Sequence, residues 1–295
     1  MTVAREPLFD RSTSIFAMGS CFAVEVRRAL RTLGFNVAPS CTDIMFDPLT
    51  QSPGSLPDRD NINHYDTFTI RQEIERALRG GRWRPDSFWE VRRSPILRRR
   101  GWDIGWQDPF RRRVYASSLE ALIDLSDKLS ERIDAGLASA DIVILTLGLT
   151  ECWRDRATGL HVCLGPASDT DEIFDRVTFH STGFLQNYLN LKAVGEAIWA
   201  RYPEKRIVLT VSPVALAQTW SGEDVVTATT YSKATLRSVA GQLAREDPRF
   251  LYWPAYEYAR SHDVFEAHGR HVRPDAVRSI IEAFVAAYGT AGSAA

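Results

Sequence analysis

The sequence predicts an α/β protein: a three-layer, doubly wound and mainly parallel sheet of five strands. Two observations carry this. Short apolar runs rich in Val, Ile and Leu alternate along the chain with longer amphipathic stretches at helical spacing, and strands that alternate with helices pair in parallel. The hydrophobicity of "IVIL" (142–145) and "IVLTV" (207–211) is continuous rather than alternating, as in strands covered on both faces.

The first strand is "SIFAM" (14–18), closed by Gly19 and Ser20, after which residues 21–33 have helical periodicity. "FNVA" (35–38) is the second strand and "TIRQEIERALRG" (69–80) the next helix. Residues 81–116 break the rhythm. They carry arginine clusters at Arg98–Arg100 and Arg111–Arg113 with Trp83, Trp89, Trp102 and Trp106 between them, and read as an insertion or lid. A helix over 118–137 leads to the third strand, "DIVILTLGL" (141–149), and a helix over 184–202 to the fourth, "RIVLTVSP" (206–213). A helix over 231–246, the fifth strand "RFLYWP" (249–254) and a helix over 273–289 complete the pattern. The 295 residues, 44% of them hydrophobic, suit one domain over 1–295 with an ordinary packed core.

Lys and Arg number 36 against 37 Asp and Glu, a formal net charge of -1. No global field favours nucleic acid or an anionic membrane, and neither is expected as a partner. The run "DIVILTLGL" is about half the roughly 20 residues that a membrane span needs. "MTVAREPLFDR" lacks the apolar core of a signal peptide, so a cytoplasmic location is expected. Cys21, Cys41, Cys152 and Cys163 form no CxxC pair and are expected as free thiols. Cys152, His161, Cys163 and His180 match no tight zinc spacing, so no metal is expected. No Gly-rich phosphate loop follows the first strand, so no cofactor is expected either.

Doubly wound sheets bind ligands beyond the carboxyl ends of their strands, where the strand order reverses. In a flavodoxin-like order 2-1-3-4-5 that point sets Gly19-Ser20 against Gly148-Leu149-Thr150-Glu151. Ser20 also starts a helix, whose unpaired N–H groups and dipole favour an oxyanion. It is a candidate nucleophile and equally a plain helix cap. A serine hydroxyl needs a base, and of six histidines His271, in "AHGRHVRPDAV" before the last helix, is the best placed over the carboxyl edge. Cys21 is a rival nucleophile, since a helix N-terminus lowers a thiol pKa; as a small free thiol it equally suits the core.

The pentapeptide Gly19-Ser20-Cys21-Phe22-Ala23 is followed in order by "NHYDTFTIRQEIERAL", "ILTLGLTECW", "TVSPVAL", "YSKATLR", "WPAYEY" and "GRHVRP". This ordered set, spread over most of the chain, resembles the GSCFA domain proteins, distant relatives of the SGNH (GDSL-type) esterases and acyl hydrolases. The resemblance implies an SGNH-hydrolase-like fold with Ser20 as nucleophile and His271 as the histidine of the last, DxxH-like block. His268 stands where that block has its aspartate. An imidazole does not stabilise an imidazolium as a carboxylate does, which leaves Glu266, Asp263 or a backbone carbonyl to orient the base of a Ser-His dyad.

Gly148-Leu149-Thr150-Glu151 resembles the GxND block, with Thr150 in the place of the oxyanion-hole asparagine. "NINHYDTFT" resembles the asparagine-bearing stretch before the second helix, with Asp66 where an asparagine is expected. A carboxylate donates no hydrogen bond unless protonated, so Asn61 or Asn63 is left as donor, together with the N–H of Ser20.

The function expected is that of a serine esterase or acyl hydrolase acting on an O-acylated small molecule or glycan through an acyl-enzyme on Ser20. O-acyl transfer at the same site, with another hydroxyl in place of water, is one alternative. A non-catalytic ligand-binding or nucleic-acid-binding role is another. Interleaved tryptophan and arginine over 81–116 suit stacking on a sugar or a base, and equally an insertion that covers the core.

Overall fold

The computed structural model describes residues 7–52, 62–92, 95–163, 173–267 and 269–290. Strand β1 (Ser14–Gly19) runs into α1 (Cys21–Thr32) and β2 (Asn36–Ala38). Then come β3 (Gln51–Ser52), α2 (Thr67–Leu78), β4 (Trp89–Arg92), α3 (Pro95–Arg100), β5 (Ile104–Gln107) and β6 (Tyr115–Ala116). Helix α4 (Leu119–Ser139) leads to β7 (Ile142–Leu147), β8 (Glu151–Asp155), β9 (His161–Val162), α5 (Ile173–Arg176) and β10 (Val177–Ser181). The chain closes with α6 (Phe184–Arg201), β11 (Arg206–Val211), α7 (Val225–Glu246), β12 (Phe250–Trp253), α8 (Ala255–Ser261) and α9 (Pro274–Tyr288).

The central sheet has the order β12-β11-β7-β1-β2 and is parallel throughout. Numbered along its own five strands it is 2-1-3-4-5, as the sequence predicts, and the order reverses between β1 and β7. Alternate residues of the continuous apolar strands fill two cores. Ile15, Ala17, Ile142, Ile144 and Val208 meet α1 and α9 on one face. Phe16, Met18, Val143, Leu145 and Leu209 meet α2, α4, α6 and α7 on the other. Each of the larger of these side chains, buried, contributes roughly 1.5–3 kcal/mol, and together they hold the strand ends in register.

Two antiparallel sheets that the sequence did not foretell hang on this frame, β10-β8-β9 and β3-β6-β5-β4. The second accounts for most of the Trp/Arg-rich segment. Two of its tryptophans are buried: Trp83 stacks on Phe110 at 3.8 Å, and Trp89 donates from Nε1 to Asp155 at 3.0 Å, while Trp102 and Trp106 are half-buried against the core. Arg111 is fully buried, held by Glu73 at 3.1 Å, Asp108 at 3.0 Å and the hydroxyls of Ser126 and Ser130. Helix α7 begins six residues before the predicted start, with Asp224 accepting from the Val226 N–H; exposed Val226 and Thr residues in its first turns hide the apolar period. No helix among the described residues is long and apolar enough to cross a membrane.

Candidate active site

Gly19 ends β1 with φ +136, and a Cβ there would lie 2.1 Å from the Thr146 carbonyl oxygen. Only glycine lets β1 press so close to β7 and still turn into α1. Ser20 then caps α1. Its Oγ accepts from the Phe22 N–H at 3.3 Å and lies 3.3 Å from Thr146 Oγ1, with the residue 2% exposed. The Ser20 backbone N–H donates to the Thr146 carbonyl at 2.9 Å, so this expected oxyanion donor is engaged by the sheet.

Gly148 sits directly on the serine: a Cβ on it would be 3.0 Å from Ser20 Cβ and 2.7 Å from the Tyr65 carbonyl oxygen. The loop ahead of α2 ties the two strand ends together. His64 N–H donates to the Gly19 carbonyl at 2.8 Å, and the Tyr65 carbonyl accepts from Gly148 at 3.2 Å and Leu149 at 2.8 Å. Asn63 bridges to Gly19; its Nδ2 is 3.5 Å from the Tyr65 hydroxyl, and its buried Oδ1 has no hydrogen-bond partner among the described residues. Ser20, Gly19, Gly148 and Asn63 therefore meet as the sequence suggested.

Asp66 and Thr150 turn elsewhere. Asp66 caps α2, accepting from the Phe68 and Thr69 N–H groups at 2.9 Å each; burial lifts its carboxyl to about 6 against the pull of those bonds. Thr150 is fully buried, and its hydroxyl is 2.8 Å from that of Ser232. Glu151 bonds to the Thr219 hydroxyl.

The loop before α9 crosses this corner. Its Arg270 bonds the Ala215 carbonyl at 3.1 Å and acts electrostatically on the Cys21 thiol. His271, next in line, is half-exposed, with Nδ1 4.0 Å from Glu266 Oε2. Asp263 instead faces Arg273 at 3.8 Å. His268 and Asn61 lie outside the described residues.

Cys21 is no activated thiolate: burial pushes its thiol up, although Lys233 and Arg270 pull the other way. That same thiol marks a neighbour the sequence reading missed. Lys233, on α7, is 1% exposed and donates from Nζ to the Gly148 carbonyl at 2.8 Å. Its spacing from Leu236, Val239 and Leu243 on the buried stripe of α7 was the available signal. Arg112 also arrives from the Trp/Arg segment, 6.0 Å from the Tyr65 ring.

Of the four side chains weighed for zinc, His180 lies opposite Cys152 and acts electrostatically on His161. His161 stacks on Phe68 at 4.5 Å, His180 Nε2 meets the Thr178 hydroxyl at 3.1 Å, and Cys163 Sγ is 3.6 Å from His64 Nδ1. Cys152 is buried within β8 opposite His180. Among the described residues no three His, Cys, Asp or Glu gather in a metal-holding group.

Among known proteins, the model of the GSCFA family matches residues 14–284. No curated protein matches the chain.

Proposed function

The chain belongs to the GSCFA family, and we propose that it is a serine-dependent acyl hydrolase whose acyl-enzyme forms on Ser20. The observation that carries the reading is the position of this hydroxyl. It stands on a glycine-enabled turn at the β1–β7 switch point, at the N-terminus of α1, with Gly148 packed against it. Ligands of doubly wound sheets collect at such a point.

In this reading Ser20 Oγ attacks an ester carbonyl and His271 takes its proton, with Glu266, 4.0 Å from its Nδ1, to favour the imidazolium. The Asn63 amide contributes a donor to the oxyanion. The substrate class is an O-acylated small molecule or glycan. Trp153 and Trp220, 5.8 Å apart and edge to face, stand beside Glu151 and Thr219 and suit the apolar face of a sugar. The free thiols suit a reducing compartment, and we place the protein in the cytoplasm. The 2% exposure of Ser20 favours a second reading, O-acyl transfer, because a site that excludes bulk water protects an acyl-enzyme for another hydroxyl.

The test is covalent labelling with a fluorophosphonate and peptide mass spectrometry. A stoichiometric adduct on Ser20, lost in His271→Ala, is the result expected. No adduct, with p-nitrophenyl acetate also left intact, would replace the enzyme with a non-catalytic ligand-binding protein.

A further inference from the structure

Lys233 lies on α7 three residues before Leu236, on the helix face that enters the core, and is 1% exposed. An ammonium so placed loses its hydration, which a single neutral hydrogen bond does not offset. Among the described residues its bond is to the Gly148 carbonyl, at 2.8 Å. An ammonium has three donors, so two remain. Among the described residues the titratable group acting on it is the Cys21 thiol, and no carboxylate takes the charge. Gly148 in turn packs on Ser20. The cation thus reaches the nucleophile's corner from the helix layer opposite α1.

Donors for an oxyanion are otherwise scarce here. The Ser20 N–H is held by Thr146, the Thr150 hydroxyl by Ser232, and Asn63 is neutral. We propose that Lys233 Nζ is the principal donor to the acyl oxyanion formed when Ser20 attacks, an assignment that rests on Ser20 being the nucleophile. In that step a bond forms from Oγ to the carbonyl carbon, the π pair moves to the carbonyl oxygen, and the Ser20 proton passes to His271. Collapse of the intermediate breaks the bond to the leaving oxygen, which takes that proton. Lys233 keeps its own protons throughout and contributes a charge-assisted hydrogen bond.

This role has a pH signature. Burial holds the Lys233 ammonium at about 7, so the cation is present below that pH and lost above it. Cys21, facing it from α1, stays neutral in that range because burial pushes the thiol up; Arg270, from the loop before α9, faces Cys21 in turn. Acylation of Ser20 therefore slows as pH rises through about 7. A lysine that accepted the serine proton would give the opposite slope. A lysine that only steadied the Gly148 carbonyl would give none, since amine and ammonium both donate.

The experiment follows the rate of the fluorophosphonate adduct on Ser20 from about pH 5.5 to about pH 9.5 in wild type, Lys233→Arg and Lys233→Met, with a melting curve for each. Wild type should show the alkaline decline. Lys233→Arg, a permanent cation, should lose that decline, and Lys233→Met should be slower by ~10²-fold or more below neutrality. A Lys233→Met protein labelled at the wild-type rate, or a wild-type rate that climbs above neutrality, overturns the assignment while leaving Ser20 as nucleophile. If Lys233→Met does not fold, an unchanged alkaline decline in Lys233→Arg overturns it instead. Wild-type protein that takes no adduct at any pH refutes the Ser20 reading, and this assignment with it.

Discussion

Gly148 and Ser20 are packed so closely that a Cβ on Gly148 would stand 3.0 Å from the Ser20 Cβ and 2.7 Å from the Tyr65 carbonyl oxygen. The second distance is to backbone, which yields only by moving the loop ahead of α2. Gly148→Ala is therefore expected to cost about 1–3 kcal/mol, as overpacking does, and to displace the nucleophile. Urea unfolding and fluorophosphonate labelling measure the two effects; wild-type labelling in this variant would show that the close packing is dispensable.

Ser20 has two roles that mutation can separate. Ser20→Ala removes both hydroxyl and cap, so labelling should vanish and stability fall by about 1 kcal/mol. Ser20→Gly adds no volume and costs only a few tenths of a kcal/mol as a cap, so it should nearly keep the melting temperature but not the labelling. His271→Ala should also abolish labelling, yet leave the melting temperature in place because the ring is half-exposed. A smaller loss is expected of Glu266→Gln, whose carboxylate is 4.0 Å from the imidazole.

Arg111 answers to stability. With its guanidinium, Glu73 and Asp108 all fully buried, Arg111→Met would leave Asp108 without its cation and Glu73 with Arg76 alone, at 2.8 Å. The expected cost is about 3–5 kcal/mol, read as a lower urea midpoint. A midpoint equal to that of wild type would mean that the carboxylates find other partners or take up protons without loss.

His64 makes a pH prediction. Burial depresses its imidazole from 6.5 to about 4, so the unfolded chain binds the extra proton between those values. The contribution of neutral His64 is complete above about pH 6.5 and is lost as pH falls through about 4. Asp66, lifted to about 6 by burial, works in the opposite direction over part of the same range. The difference in melting temperature between wild type and His64→Gln isolates the histidine and should widen from about pH 4 to about pH 6.5. A constant difference would place the imidazole in contact with water.

Much of the frame was legible from local pattern. Runs such as "IVIL" and "IVLTV" are apolar on both faces because both faces are buried, and the helical stripes of α1 and α9 are plain. The antiparallel strands β8 and β10 were not. "ECWRD" lacks a clean alternation and "VTFHS" alternates over only four residues, and the two strands pair across a span of chain that no local signal bridges. In the Trp/Arg segment, composition showed that something departs from the rhythm. It did not show that Arg111 is buried, because burial of a guanidinium depends on Glu73, distant in sequence.

The sequence by itself determined the parallel strands and the glycine-serine turn that ends β1, since each follows from neighbours along the chain: hydrophobic period, the punctuation of Gly19, the start of a helix. Only the tertiary structure decided what surrounds that turn. It engaged the Ser20 N–H with Thr146, turned Thr150 toward Ser232 and Asp66 toward α2, and brought Lys233 to Gly148 from the opposite layer. A hydrogen bond is settled by which donors and acceptors packing leaves within about 3 Å of one another, and no spacing along the chain contains that distance.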